Sequence, residues 1–247
     1  MSNINDVYFD GYYKEIWRSL IPEGLTKAEV EFLIQESSLK AGDRVLDLMC
    51  GYGRHALALA RKQIEVEAVD NLNDYVAEIK VIATNEGLPV TAVQQNALVY
   101  QPRGIYKLAI CMGNSLSFFS AGETRTLFSM ISSCLDQGDK FIFNSWTIAE
   151  TVIRDFREKT WTYVGDIKFL ADSKYLFSPA RIETESTFIP TAGSTEVKKA
   201  VDYIYSLNEI EGMLNGAGLG ILDKWSIPGK KKFTLGEPRI YIVSKKL

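Results

Sequence analysis

A single histidine, His55, stands in the 247 residues, so the chain cannot build a metal site from clustered imidazoles. Cysteine is nearly as scarce. Cys50, Cys111 and Cys134 share no C-x-x-C spacing and fall in apolar runs, the placement of reduced core thiols in a cytoplasmic protein. Positive charge is thin as well: 28 lysines and arginines face 31 acidic residues, a net charge of −3. Lys230-Lys231-Lys232 is the one basic run and reads as a solvated turn, so the broad basic field that a nucleic-acid partner requires is missing. No apolar stretch is long enough for a membrane span, and no export signal or repeat is visible. What is there, 46% hydrophobic residues over this length, suffices for one large domain spanning 1–247.

From residue 45 onward strand and helix signals alternate. Apolar runs predict strands over 45–49, 64–69, 90–94, 107–112 and 140–145. Helical periodicity predicts helices over 54–62, 74–86, 123–135 and 148–158. This rhythm predicts an α/β fold: a doubly wound, mostly parallel, Rossmann-like sheet of seven strands, the last antiparallel. Residues 161–206 break it. Ile167 to Phe177 reads as strand, and alternation on either side of Pro190 to Ser194 predicts a long hairpin, together a small antiparallel β insert. Ser206 and Glu209 cap a helix ending at Gly216 or Gly218, and 219–227 and 239–244 read as the final strands. Upstream, Thr26-Lys27-Ala28-Glu29 reads as a capping box, with Leu25 and Val30 as its hydrophobic staple. Tyr8, Phe9, Tyr12, Tyr13 and Trp17 crowd together before it, and residues 1–40 are expected to form a helical lid.

The run Val45 to Ala60 reads as a buried strand, a tight turn and a helix. Asp47 lies near the strand end, where a carboxylate is costly unless something satisfies it. Gly51 and Gly53 let a ligand approach the backbone without a Cβ in the way. Asp70 closes the next strand-like run. The same letters, Gly51-Tyr52-Gly53-Arg54-His55-Ala56, form a G-x-G-x-x-A string, and a dinucleotide-binding fold also places an acid about 20 residues further on. Asp47 separates the two: it suits an ammonium group, whereas a pocket facing pyrophosphate has no use for an anion there.

Asp47, the glycine turn and Asp70 resemble the cofactor site of class I S-adenosylmethionine-dependent methyltransferases. That resemblance implies S-adenosyl-L-methionine as cofactor. Asp47 would hold the ammonium, with Met49, Cys50, Gly51 and Gly53 around the amino-acid end. Asp70 would take the ribose diol, and Asn71, Leu72, Tyr75, Asn96, Ala97 and Met112 would surround ribose and adenine. Met49 departs from the pattern, which has glycine there, and Asn96 replaces the more usual Asp. Gly113-Asn114-Ser115 resembles a segment of glycine and sarcosine N-methyltransferases. By that likeness Asn114 faces the acceptor, and Trp146 stands where that family clamps a carboxylate with arginine. Tyr12 and Tyr13 of the lid are further candidate acceptor contacts, and the 161–206 insert is expected to cover the acceptor site.

The implied activity is methyl transfer to nitrogen or oxygen of a small molecule by in-line displacement. Catalytic residues are not evident: His55, Glu183, Glu185, Tyr203 and Tyr205 are the available bases, and Cys111 lacks the Pro-Cys context of a nucleophile. A cofactor-binding protein without turnover, or an NAD(P)-dependent oxidoreductase, are the alternatives. Neither a nucleic-acid nor a membrane partner is expected.

Overall fold

The computed structural model describes residues 3–247, so Met1 and Ser2 of the expected 1–40 lid lie outside the described residues. Five parallel strands form its centre: β1 (Arg44–Leu48), β2 (Glu65–Asp70), β3 (Val90–Gln94), β4 (Tyr106–Cys111) and β5 (Leu135–Ser145). Between them run the helices α3 (Arg54–Ala60), α4 (Asn73–Glu86) and α5 (Ala121–Ser133). After α6 (Ala149–Asp155), a separate antiparallel sheet follows: β6 (Lys159–Val164), β7 (Ile167–Phe177), β8 (Ala180–Pro190) and β9 (Glu196–Tyr203). The chain returns through α7 (Leu207–Gly216), whose Ser206 and Glu209 form the expected capping box. It ends in β10 (Leu219–Ile227), β11 (Lys231–Lys232) and β12 (Ile240–Lys246).

The main sheet has the order β3-β2-β1-β4-β5-β12-β10-β11, with β12 antiparallel to both neighbours. Its eighth strand, beyond the seven expected, is the triple-lysine segment. Past a register shift in β10, two of those lysines pair with it, and Lys232 places its ammonium 3.4 Å from the centre of the Trp225 ring. The segment is therefore a strand edge and not a free turn.

Strand residues point alternately to the two faces, and both faces are covered, so the strands read as continuous apolar runs. Leu46, Leu48, Ala109, Phe141 and Phe143 pack against Leu127, Phe128 and Ile131 of α5 and Leu214 of α7. Val45, Val66, Leu108, Ile110 and Ile142 pack on the opposite side against α3, α4 and α2 (Glu23–Ser37). Cys50, Cys111 and Cys134 are free and buried. Among the described residues no helix is long and apolar enough to cross a membrane.

The N-terminal region departs from the expected capping box. Helix α2 starts four residues earlier, after Pro22, so Thr26 and Glu29 lie inside it. Glu29 is fully buried and serves donors from other elements, which its own helix terminus could not match. Before α2, a single 3-10 turn (Ile4–Val7) and α1 (Tyr12–Leu20) lie against the small sheet, where Ile16, Tyr12 and Tyr13 pack with Ile167, Phe169 and Phe188.

Candidate functional site

The strand order reverses at β1, because β2 and β3 lie on one side and β4 and β5 on the other. Open α/β sheets form their ligand crevice at the carboxyl ends of the strands at such a point. A cleft of about 990 Å³, counted out to solvent, opens there. Its walls include Asp47, Met49, Cys50, Gly51, Asp70, Asn71, Leu72, Tyr75, Asn96, Ala97 and Met112. All the expected cofactor contacts but Gly53 thus share one cavity.

The loop after β1 is shaped by left-handed backbone at Met49 (φ 54°), Gly51 (φ 55°) and Gly53 (φ 77°). A Cβ added to Gly51 would meet nothing within 4 Å, so this residue keeps the cleft open. Gly53 has a different task. Its added Cβ would lie 2.6 Å from Cγ1 of Ile79, so Gly53 allows α3 and α4 to pack and does not line the cleft. The Gly51 amide donates to Oδ2 of Asp70 at 2.8 Å, and the Leu72 amide donates to Oδ1 at 3.0 Å. Two backbone bonds therefore orient the Asp70 carboxylate at the end of β2. Burial raises its pKa, and these bonds partly offset the shift.

Asp47 is 1% exposed, and its Oδ2 has no hydrogen-bond partner among the described residues. Burial, with the charge of Asp70 added and that of Arg54 opposing, pushes its pKa up to about 7. A carboxylate held this way is an acceptor awaiting a cation. Arg54 and His55 also line the cleft, two residues the sequence pattern did not mark as cofactor contacts. His55 is no free base. Its Nε2 donates to Glu29 at 2.9 Å, and burial with the neighbouring Arg54 charge keeps the ring neutral. Burial would raise Glu29, but bonds and charges from His55 and Arg54 outweigh it and bring it to about 2.

The N-terminal segment straps across this cleft. Asn3, Asn5, Asp6, Phe9, Tyr13 and Trp17 line it. Asn71 donates to Asp6 Oδ1 at 3.0 Å, the Tyr75 hydroxyl donates to the Phe9 carbonyl at 2.6 Å, and Asn5 bonds both ways with Val201 of β9. The aromatic crowding between Tyr8 and Trp17 was the only trace of this strap in the sequence; the asparagines that tie it down have no periodicity to reveal them. Asn96 uses its Oδ1 to accept from the Leu98 amide at 2.9 Å, an Asx-type turn at the cleft wall.

The expected acceptor residues separate. Tyr13 lines the cleft, whereas Tyr12 lies in the core between α1 and the small sheet. Asn114 is 3% exposed and does not reach the cavity. Its Oδ1 accepts from Ser145 Oγ at 2.8 Å, the Trp146 amide at 2.9 Å and Thr147 Oγ1 at 3.0 Å; its Nδ2 donates to Ser117 Oγ at 3.0 Å. Asn144 reciprocates by accepting from the Gly113 and Asn114 amides at 2.7 and 3.2 Å. The pair locks the ends of β4 and β5 together, and Asn114 positions its neighbours. Trp146 likewise stands behind the wall, its ring 5.5 Å from that of Trp17. Glu183, Glu185, Tyr203 and Tyr205 do not line the cleft, and burial raises the Cys111 thiol.

The fold is the α/β, Rossmann-like methyltransferase fold, a doubly wound sheet with acids at the ends of β1 and β2. Residues 45–138 match the family described as methyltransferase domain. The chain is 25% identical over 148 residues to the S-adenosyl-L-methionine-dependent Diels-Alderase iliD of Neonectria sp. (strain DH2), covering 53% of this chain and 58% of that protein. It is 28% identical over 136 residues to the glycine/sarcosine N-methyltransferase of Halorhodospira halochloris, covering 53% of this chain and 50% of the relative. The matches thus span about half the length of these curated relatives. In three dimensions it resembles an S-adenosylmethionine-dependent methyltransferase from Clostridium acetobutylicum ATCC 824, with a TM-score of 0.81, 19% identity, and 95% and 96% of the two chains covered. Residues 45–138 thus match a methyltransferase domain, within a fold shared with solved S-adenosylmethionine-dependent methyltransferases. The orphaned Asp47 oxygen and the open face of Gly51 fit the cofactor of that family, which carries a cationic amino-acid end.

Proposed function

We propose that the protein transfers a methyl group from S-adenosylmethionine to a nitrogen or oxygen of a small-molecule acceptor. The observation that carries this reading is the buried, unpartnered Oδ2 of Asp47 in the strand-end cleft, matched to an α-ammonium. When bound, the cofactor supplies a methyl carbon activated by its sulfonium leaving group. The chain itself binds, orients and excludes water. Asp70, held by two backbone amides, offers its remaining lone pairs to a ribose diol. Leu72, Ala97 and Met112 supply apolar walls for adenine, and Asn96 an edge contact.

The N-terminal strap and the small sheet behind it support a lid role for this region and a small acceptor. Tyr13, Trp17, Ser115 and Phe118 would meet that acceptor. Asp6, Asp47 and Asp70 line the cleft against a single cation among the described residues, Arg54, which favours a neutral or cationic acceptor over an anion. An amine in its free-base form needs no protein base. The net charge of −3 supports a small-molecule over a nucleic-acid partner, and three unpaired core thiols support a cytoplasmic location.

The test is incubation with S-adenosylmethionine and a panel of small amines and alcohols, followed by mass spectrometry for S-adenosylhomocysteine and methylated product. Product with at least one acceptor is expected; failure to bind the cofactor in calorimetry would sink the reading. One relative is titled an S-adenosyl-L-methionine-dependent Diels-Alderase, which motivates a second reading: a bound cofactor serving another reaction. Tight cofactor binding with no S-adenosylhomocysteine formed across the panel would favour it.

A further inference from the structure

We propose that Asp202 of β9, beside the aromatic face of Tyr13 and Trp17, receives a positive charge on the methyl acceptor, so that the acceptor is a molecule bearing an ammonium group. This rests on the methyl-transfer reading above and names a substrate class for it. Asp202 is half-buried, and no lysine or arginine among the described residues pairs with it. Lys198, on the same face of β9, is spent on Asp10 of the strap. The Asp202 Oδ1 accepts from Ser117 Oγ at 2.6 Å and from Asn114 Nδ2 at 3.5 Å. Its Oδ2 has no protein partner among the described residues and is not sealed from solvent. Burial raises its pKa, with only the Ser117 bond opposing. A carboxylate enclosed without a counter-charge is stabilised by any cation that reaches it.

The surroundings point to the acceptor side of the cleft. Ser117 belongs to the 3-10 turn Ser115–Phe118, whose Ser115 and Phe118 line the cavity. Burial raises the Tyr8 and Tyr13 hydroxyls, and the Asp202 charge adds to both shifts, which places the carboxylate near these rings. Tyr13 and Trp17, one turn apart on α1, line the cleft with their rings 6.3 Å apart and 15° from parallel, and Trp146 backs Trp17. An aromatic face and a carboxylate attract the same sign of charge, and together they suit an ammonium group. The other acids are engaged. Asp47 and Asp70 serve the cofactor in the reading above, and Asp6 has both oxygens occupied, by Asn71 and by the Asn3 amide. If Asp202 only tied down Ser117, a neutral carbonyl would do, and its charge would be a cost without return.

Ligand-observed NMR titrations on the full chain saturated with S-adenosylhomocysteine test this, with benzylamine and benzyl alcohol as probes. The two are close in shape and differ by one charge at neutral pH. Wild type is expected to bind the ammonium roughly 10-fold or more tightly than the alcohol. Asp202→Asn keeps a carbonyl for Ser117 and removes the charge. It is expected to weaken benzylamine by about 10-fold and to leave benzyl alcohol within about twofold. Ser117→Ala, which frees Oδ1 but keeps the charge, is expected to retain the preference for the ammonium. Calorimetry with S-adenosylhomocysteine should give wild-type affinity in both variants, showing that they are folded. A wild type that binds the two probes equally, or binds neither, overturns the proposal and leaves the cofactor reading intact. So does an Asp202→Asn variant that keeps the preference. A wild type that does not bind S-adenosylhomocysteine overturns the cofactor reading and this inference with it.

Discussion

At Met49 the backbone enters the left-handed region at φ 54°, where the resembling family has glycine and where a side chain costs roughly 1–2 kcal/mol. The departure visible in the sequence is therefore a point of strain. Met49→Gly and Met49→Ala remove the same packing, but only glycine relieves the backbone. Urea denaturation should find the glycine variant more stable than the alanine variant by about 1 kcal/mol. Asp47 carries a different cost. Its pKa of about 7 lies above the ordinary carboxylate range, so the folded state holds a proton that the unfolded chain gives up. Its contribution is full below about pH 4 and is lost as pH rises through about 7. Without ligand, Asp47→Asn should melt above wild type at about pH 8, a gap that closes towards about pH 5. An ammonium ligand requires the ionised form. Wild-type affinity for S-adenosylhomocysteine should rise between about pH 6 and pH 8, with proton release on binding; a flat profile would deny Asp47 this role.

Among elements, the turn between β1 and α3 shows how one glycine pattern divides into two tasks. Gly51→Ala projects into the open cleft, whereas Gly53→Ala drives a Cβ into Ile79 at a positive φ. The first should mainly weaken nucleoside binding. The second should mainly lower stability, by roughly 2 kcal/mol or more, through overpacking and backbone strain; thermal melts and calorimetry on both variants separate the two. Nothing in the letters G-x-G distinguishes them, because the difference is made by Ile79, on a helix and 26 residues after Gly53. The capping box at Thr26 failed for a similar reason. Its local signal was real, but Arg54, His55 and Tyr241 claimed Glu29. The box at Ser206 held, since no distant donor competes for Glu209.

For the whole molecule, the cleft joins the ends of β1 and β2, the loops after β3 and β4 and the N-terminal strap, so a ligand there links segments distant along the chain. S-adenosylhomocysteine at 100 times its Kd should stabilise the fold by about 2.7 kcal/mol and raise Tm by about 5–10 °C in a scanning melt, and NADH should not. The sequence by itself determined the alternation of strand and helix, the parallel sheet, the free thiols, and the acids at two successive strand ends. These follow from hydrophobic periodicity and short turns, which neighbouring residues encode among themselves. Only the tertiary structure decided that the strap crosses the cleft, that Asn114 and Asn144 lock β4 to β5, and that Glu29 faces Arg54. Each depends on partners brought together by packing: the Tyr241 hydroxyl reaches Glu29 across 212 positions of chain. A polar side chain's task is set by which donor is nearest once the core has closed, and no local pattern carries that information.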